Sequence, residues 1–211
     1  MAQIIPGILT SSEDEYRKRL EKAEHVAPLL QIDVVDGKFS KSTTVGAATI
    51  KKFVPACMLE IQLMVVYPMN YIDDLSPLPF VSRIIFPFEI DGDVMENIYL
   101  IKKLGCQAGL SLNPETPIHA ALHYFDDIDL LLLMTGKPGY SGQKLGDETY
   151  ARIGVAKKIN GSLPIEIDIG VDFENASRLA AAGADFLVSS SALYGEPDFR
   201  IAYEKMAKLA A

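Results

Sequence analysis

Residues 29–35 read LLQIDVV, five apolar residues interrupted by Gln31 and Asp33 two positions apart. Side chains alternate across a strand, so Gln31 and Asp33 share one face and Ile32 takes the other. A run this apolar on both faces belongs to a parallel sheet covered by helices. The same pattern returns twice. MLEIQLMV (58–65) carries Glu60 and Gln62, and PIEIDIG (164–170) carries Glu166 and Asp168. Ile32, Ile61 and Ile167 are then expected to face helices, with the three polar pairs pointing the other way.

Working outward, five more short apolar runs appear: Ile4–Leu9, Arg83–Phe88, Ala108–Leu112, Leu130–Met134 and Asp185–Val188. Amphipathic stretches alternate with the runs, at Glu13–Val26, Val94–Leu104, Asp147–Ile159, Phe173–Ala182 and Asp198–Ala210. Gly183 is placed to end one of these helices in left-handed backbone. Eight units in 211 residues leave about 26 residues each, enough for a strand, a helix and two loops. The expected fold is α/β, a (β/α)8 TIM barrel, with 1–211 as a single domain. The third and fourth units are the weakest, because Tyr71–Pro79 is proline-rich and leaves room only for a short helix.

Composition narrows the function. The chain has 20 Lys+Arg against 28 Asp+Glu, a net charge of −8 that argues against a nucleic-acid partner. No apolar run approaches the roughly 18–20 residues of a membrane span. The start, MAQIIPGILTSS, reads as no signal peptide. Two cysteines, Cys57 and Cys106, are too few for a disulfide framework and suit reduced thiols in a cytoplasmic protein.

Gln31, Asp33, Gln62 and Asp168 fall late in their strands, toward the end of a barrel where active sites lie. Carboxylates aimed at one pocket from strands 2 and 7 suit removal of a proton from one face of a carbon and its return to the other. A buried structural network is the alternative reading of the same residues. The loops after strands 6, 7 and 8 are rich in Gly and Ser: MTGKPGYSGQ (134–143), Ile169-Gly170-Val171 and Ser189–Ser191. Such backbone can cradle an anion, with Lys137 nearby.

Over nearly its whole length the chain resembles the ribulose-phosphate 3-epimerases. The resemblance runs through PGILTSS (6–12), QIDVVDGKF (31–39), IQLMVVYP (61–68), AGLSLNPETP (108–117), DIDLLLLMTGKPGYSGQ (127–143), IEIDIGVDFENA (165–176) and AGADFLVSSSALYG (182–195). It implies epimerisation at carbon 3 of a pentulose 5-phosphate through an enediolate, with Asp33 and Asp168 as acid and base. It implies a phosphate site at Gly139, Tyr140, Ser141, Gly142, Gly170, Ser190 and Ser191, with Gly7 where the family has Ser. Met64 and Met134 correspond to the family's apolar cover, and Val35 stands for a third Met. The family's divalent metal is held by two His and two Asp. Here those His positions are Gln31 and Gln62, which leaves Asp33 and Asp168 as ligands only if a metal binds. The expectation is no tightly bound cofactor, with a weakly held divalent metal left open. Gln31 and Gln62 could instead donate amide hydrogen bonds to the enediolate oxygens. Further departures are Ile169 for Gly, Ser141 and Ser190 for Gly, Lys137 for Asn and Pro87 for His.

The leading reading is a phosphoketose isomerase of this kind with a small-molecule phosphosugar substrate, and a homo-oligomer is compatible with it. One alternative is a phosphosugar-binding or regulatory barrel without the chemistry. A lesser one is a Schiff-base aldolase using Lys137. The roles of Glu60 and Glu166 stay open.

Overall fold

A computed structural model describes residues 1–211. Eight parallel strands close on themselves in sequence order: β1 (Gln3–Ile8), β2 (Leu29–Val35), β3 (Met58–Met64), β4 (Val81–Pro87), β5 (Gln107–Leu112), β6 (Leu130–Met134), β7 (Ile165–Asp168) and β8 (Phe186–Ser189). The (β/α)8 barrel expected from the sequence is the fold. Outside it lie α1 (Glu13–Ala23), α2 (Ala47–Lys52), α3 (Met69–Leu75), α4 (Val94–Lys103), α5 (Thr149–Ile159), α6 (Ala176–Ala182), α7 (Ser191–Tyr194) and α8 (Phe199–Leu209). A 3-10 helix, Ile118–Tyr124, fills the place of a helix between β5 and β6.

Local chemistry sets the helix limits. Ser12 caps α1 by accepting from the Glu15 N–H, with Glu13, Asp14 and Glu15 in the first turn. Asp93 and Asp198 cap α4 and α8 in the same way. Gly183 ends α6 at φ +109, the left-handed close expected of it. Phe173–Asn175 lie outside α6, because Asp172 Oδ1 accepts from Glu174 and Asn175 N–H and holds them in a turn. α3, in the third unit, is short as the proline-rich Tyr71–Pro79 suggested, whereas α4 in the fourth unit runs ten residues and the other short helix, α2, falls in the second.

The side chains sort into two cores. Fifty buried apolar residues, Ile32, Ile61 and Ile167 among them, pack between the strands and the helices. Inside the barrel a second cluster of six, Val35, Met64, Ile85, Leu130, Leu132 and Met134, packs separately. The three polar pairs share that interior. Parallel register places Asp33 beside Gln62 and Gln31 beside Glu60, and sets Glu60 against Arg83 on β4. No helix is long and apolar enough to cross a membrane.

Candidate active site

A cavity of about 330 Å³ opens at the C-terminal end of the barrel. Asp33 and Asp168 line it, with Met64 and Gly7. Its far wall is made by Gly139–Gly142 after β6, Gly170 after β7, and Ser190 and Ser191 after β8. These late loops, singled out in the sequence for their Gly and Ser, therefore meet at one cavity. The geometry of each loop has a local cause. Gly139 takes φ +83, and a Cβ there would collide with Ser42 Oγ and stand 2.9 Å from Ser40 Oγ. Ser40 in turn donates to the Pro138 carbonyl at 2.8 Å, so the loop after β2 holds the loop after β6. Gln143 braces that loop from within. Its Nε2 donates to the carbonyls of Lys137 and Tyr140, and its Oε1 accepts the Lys137 N–H.

Three expected site residues lie elsewhere. Gln31 and Gln62 are fully buried against the Asp pair, and Met134 is buried in the interior cluster; none lines the cavity. Register puts Gln31 a layer below Asp33, while Gln62 pairs beside Asp33 with its amide against both carboxyls. Gln31 Nε2 donates to Asp33 Oδ1 at 2.8 Å and lies 2.9 Å from the Gln62 amide. One end of that amide lies 3.0 Å from both Asp33 Oδ1 and Asp168 Oδ2, and the other 2.9 Å from Met134 Sδ. As an oxygen the first end accepts from Gln31 but faces two carboxylates. As a nitrogen it donates to both carboxylates but faces the Gln31 donor. A single proton on the carboxyl pair eases the conflict, because a protonated carboxyl donates to the amide oxygen and leaves one acceptor instead of two facing it.

Burial acts in the same direction. It holds Asp33 well above the usual carboxylate range, helped by the Asp168 charge and opposed by the Gln31 hydrogen bond. Burial pushes Asp168 up to about 6, opposed by the Ile169 N–H and by the amides of Gln62 and Gln31. Ile169 N–H donates to Asp168 Oδ1 at 2.7 Å.

Below the amides is an ionic layer that the sequence reading left unassigned. Arg83 Nη1 donates to Glu60 Oε2 at 2.7 Å and lies 3.4 Å from Glu166 Oε2. The guanidinium stacks 4.7 Å from the Phe186 ring centre. One cation, paired with Glu60 and Glu166, shares the interior with four buried carboxyls, so they cannot all be ionised there at low cost. Burial, against the Arg83 charge, lifts Glu60 to about 7; burial and the Glu60 charge hold Glu166 well above its ordinary value. Arg83 stands two residues before Ile85 on β4, so strand parity alone marks it as inward-facing.

The cavity also takes in Gln143, Ile169 and Val171 from the loops the sequence singled out, and Leu9, Lys144, Asp172, Val188 and Ala192, which it did not. Lys144 is the one basic side chain on the wall, whereas Lys137 lies outside the cavity lining. His119 and His123 sit on the 3-10 helix, where the His123 ring packs 3.8 Å from that of Tyr124.

No three His, Cys, Asp or Glu side chains are grouped so as to hold a metal ion. At the four positions where the resemblance places ligands stand two carboxylates and two amides that hydrogen-bond one another. An amide oxygen is a weak ligand for zinc or iron. The donor set does not fit a tightly held zinc or iron ion.

Paired acids under Gly- and Ser-rich loops at the C-terminal end of a (β/α)8 barrel define the class, and comparison with known proteins gives the family. Residues 3–194 match the model of the ribulose-phosphate 3 epimerase family. Ribulose-phosphate 3-epimerase of Bacillus subtilis (strain 168) is 34% identical over 206 residues, covering 94% of each chain. That of Escherichia coli (strain K12) is 30% identical over 211 residues, 96% of this chain and 93% of the relative. The chain belongs to the ribulose-phosphate 3-epimerase family. Solved structures share the barrel at lower identity. 3-Hexulose-6-phosphate synthase from Salmonella typhimurium superposes with a TM-score of 0.71 at 15% identity, covering 99% of this chain and 98% of that one. Orotidine 5'-phosphate decarboxylase from Pyrococcus horikoshii OT3 gives 0.67 at 13%, covering 99% of each. These two likenesses concern the fold alone.

Proposed function

We propose that the protein epimerises a pentulose 5-phosphate at carbon 3, using Asp33 and Asp168 as acid and base. The observation that carries this is the pair itself: both carboxyls line one cavity and both lie 3.0 Å from the same Gln62 amide atom. The pair holds one proton. Asp168 receives the Ile169 N–H and is the better anion, so Asp33 is the acid in the resting site. Asp168 takes the proton on carbon 3 from one face, and the electron pair delocalises toward the carbon 2 carbonyl as an enediolate. Asp33 returns a proton to the opposite face. The two carboxyls end with their protonation exchanged, and exchange with water resets them.

Gln31 acts from one layer down and Gln62 from beside Asp33. They hold the carboxyls in register and accept or donate as the proton moves. Met64 and Val188 give the reacting carbon apolar cover, where charges interact more strongly than in water. The anionic end of the substrate lies against the backbone of Gly139–Gly142, Gly170, Ser190 and Ser191, with Lys144 as the nearest basic side chain on the wall.

Ribulose 5-phosphate in heavy water tests this, with carbon 3 followed by NMR in the presence and absence of a chelator. The expected result is deuterium at carbon 3 and appearance of xylulose 5-phosphate, with the chelator present as well. Absence of exchange under both conditions would overturn the reading in favour of a barrel that binds phosphosugars without the chemistry. Borohydride trapping of a Lys137 adduct would favour the aldolase.

A further inference from the structure

The strand bearing Asp168 leaves the barrel through backbone that its sequence does not favour. Ile169 takes φ +78, the one non-glycine residue with positive φ. For a β-branched side chain this is a true outlier. Gly170 follows at φ +75, and a Cβ there would collide with Leu145 N and stand 2.7 Å from Lys144 C. Position 170 must therefore lack a side chain for the loop after β6 to pass over this left-handed turn. Glycine supplies half of it without strain, and isoleucine is forced into the rest.

The peptide unit entering this turn carries the Ile169 N–H, which donates to Asp168 Oδ1 at 2.7 Å; that planar unit pivots on Asp168 ψ and Ile169 φ, so turning it to ease φ at Ile169 takes the N–H off the carboxyl. The force that maintains it comes from the end of β6. Thr135 N–H donates to the Asp168 carbonyl at 3.1 Å, and Thr135 Oγ1 donates to the Ile169 carbonyl at 2.6 Å. Thr135 thus grips the peptide units on both sides of Ile169 Cα. It is 8% exposed, so water does not replace it readily. Asn175 Nδ2 holds the next carbonyl, that of Gly170, at 2.7 Å. The Ile169 side chain packs against the interior apolar cluster and over Gly136, where a Cβ would stand 2.9 Å from Ile169 Cγ2.

We infer that Thr135 is a positioning residue: its N–H holds the peptide unit that presents the Ile169 N–H to the Asp168 carboxyl, its hydroxyl holds the next unit, and the two together keep Ile169 left-handed and the N–H aimed. This rests on the proposed role of Asp168. Without the hydroxyl only the Thr135 N–H opposes the strain, the unit between Asp168 and Ile169 turns to relieve it, and the Ile169 N–H leaves the carboxyl. Strained backbone held by its surroundings at a reacting group fits such a device.

A double-mutant cycle in the full chain tests it. Thr135→Val keeps the shape and removes the hydroxyl, and Thr135→Ser keeps the hydroxyl. Ile169→Gly removes the strain, since glycine stays left-handed unaided. Thr135→Val is expected to lower kcat for carbon 3 epimerisation about 100-fold, the scale of a small misplacement of a reacting group. KM changes little, and Thr135→Ser stays near wild type. In the Ile169→Gly background the same Thr135→Val change costs little kcat. Stability runs the opposite way. Relaxation of Ile169 offsets part of the lost hydrogen bond, so Thr135→Val lowers Tm less in the wild-type background than in the Ile169→Gly background. Equal fractional losses of kcat in both backgrounds, or equal drops in Tm, would overturn the inference. If the wild-type protein shows no exchange at carbon 3, it is the function that fails, and the Tm cycle still decides whether Thr135 holds the strain.

Discussion

The layer outside the strands and the space inside them are both buried, yet they are built on opposite rules. Outside, fifty apolar residues interlock, Leu110 and Ile61 typical among them, and burial itself is the stabilising term. Inside, six apolar residues share the volume with four carboxyls, two amides and a guanidinium. There burial is the unfavourable term, offset by hydrogen bonds, by Arg83 and by retained protons. The outer layer closes the barrel, and the inner one stores the polarity that the cavity above it uses. A change of the same size should therefore act on different properties in the two places.

The widest separation is expected at the cavity floor. Asp168→Asn and Asp33→Asn should each lower epimerisation about 10³-fold, within the usual range for an acid or base. Neither should cost stability at pH 8, because an amide replaces a carboxyl that burial disfavours as an anion. Ile61→Val, on the same sheet but facing outward, should leave turnover unchanged and cost about 0.5–1.5 kcal/mol. Parallel assays of exchange and thermal melting check both halves. An Asp variant that loses stability and activity in step would make the pair part of the scaffold.

Much of this division can be read from strand parity. Ile32, Ile61 and Ile167 could be assigned to the helix side because they alternate with polar neighbours, and they pack there. Run length and caps located the strands to within a residue or two. What parity cannot give is depth and partner. Gln31 and Gln62 face inward as expected, but the register that puts them against the carboxyls is a property of the closed sheet. Arg83 reaches Glu166 across the barrel, 83 positions along the chain, and no local pattern announces that pairing. The left-handed Ile169 is likewise imposed by Thr135 and the loop above it, against its own propensity.

The ionic layer gives the next largest effect. Arg83→Met removes the one cation facing Glu60 and Glu166. Breaking a buried pair by deleting one partner typically costs about 3–5 kcal/mol, and the loss should be greatest at pH 8. At pH 5 both glutamates hold protons more readily and the deficit should shrink. Chemical denaturation at the two pH values measures it. An equal deficit at both would mean that Arg83 contributes packing against Phe186 rather than charge.

A smaller effect of the same origin is expected in the wild-type protein. Glu60 rises from 4.5 to about 7 on folding, so the folded state binds more protons than the unfolded one between those values. Its contribution to stability is therefore present below the lower value and lost as pH rises through the higher. Asp33, Asp168 and Glu166 are shifted in the same direction. Tm should fall from pH 5 to pH 8, and Glu60→Gln should flatten that slope even though it weakens the Arg83 pairing. A slope unchanged by the substitution would remove Glu60 from the proton count. Outer-layer variants should shift the whole profile without altering its slope.

The least effect is expected at the rim, where the inner region meets water. Two lysines border the loop after β6, and the sequence draws attention to Lys137 because it precedes Pro138-Gly139. The structure turns that choice around. Gln143 staples the Lys137 backbone on the outside of the loop, and the chain then passes over Gly170, which brings Lys144 to the cavity wall. Lys144 is exposed, so its attraction for a phosphate is screened and worth about 1 kcal/mol, close to a fivefold change in affinity. Lys144→Met should raise KM for ribulose 5-phosphate, and the inhibition constant for inorganic phosphate, by about that factor. Added salt should narrow the difference from wild type, and kcat should not change. Lys137→Met should alter neither constant. The reverse result would mean that the loop turns over when the anion binds and that Gln143 lets go of its carbonyls. Because Gln143 holds two of them, Gln143→Ala should then shift affinity in the same direction as the lysine that proves to matter.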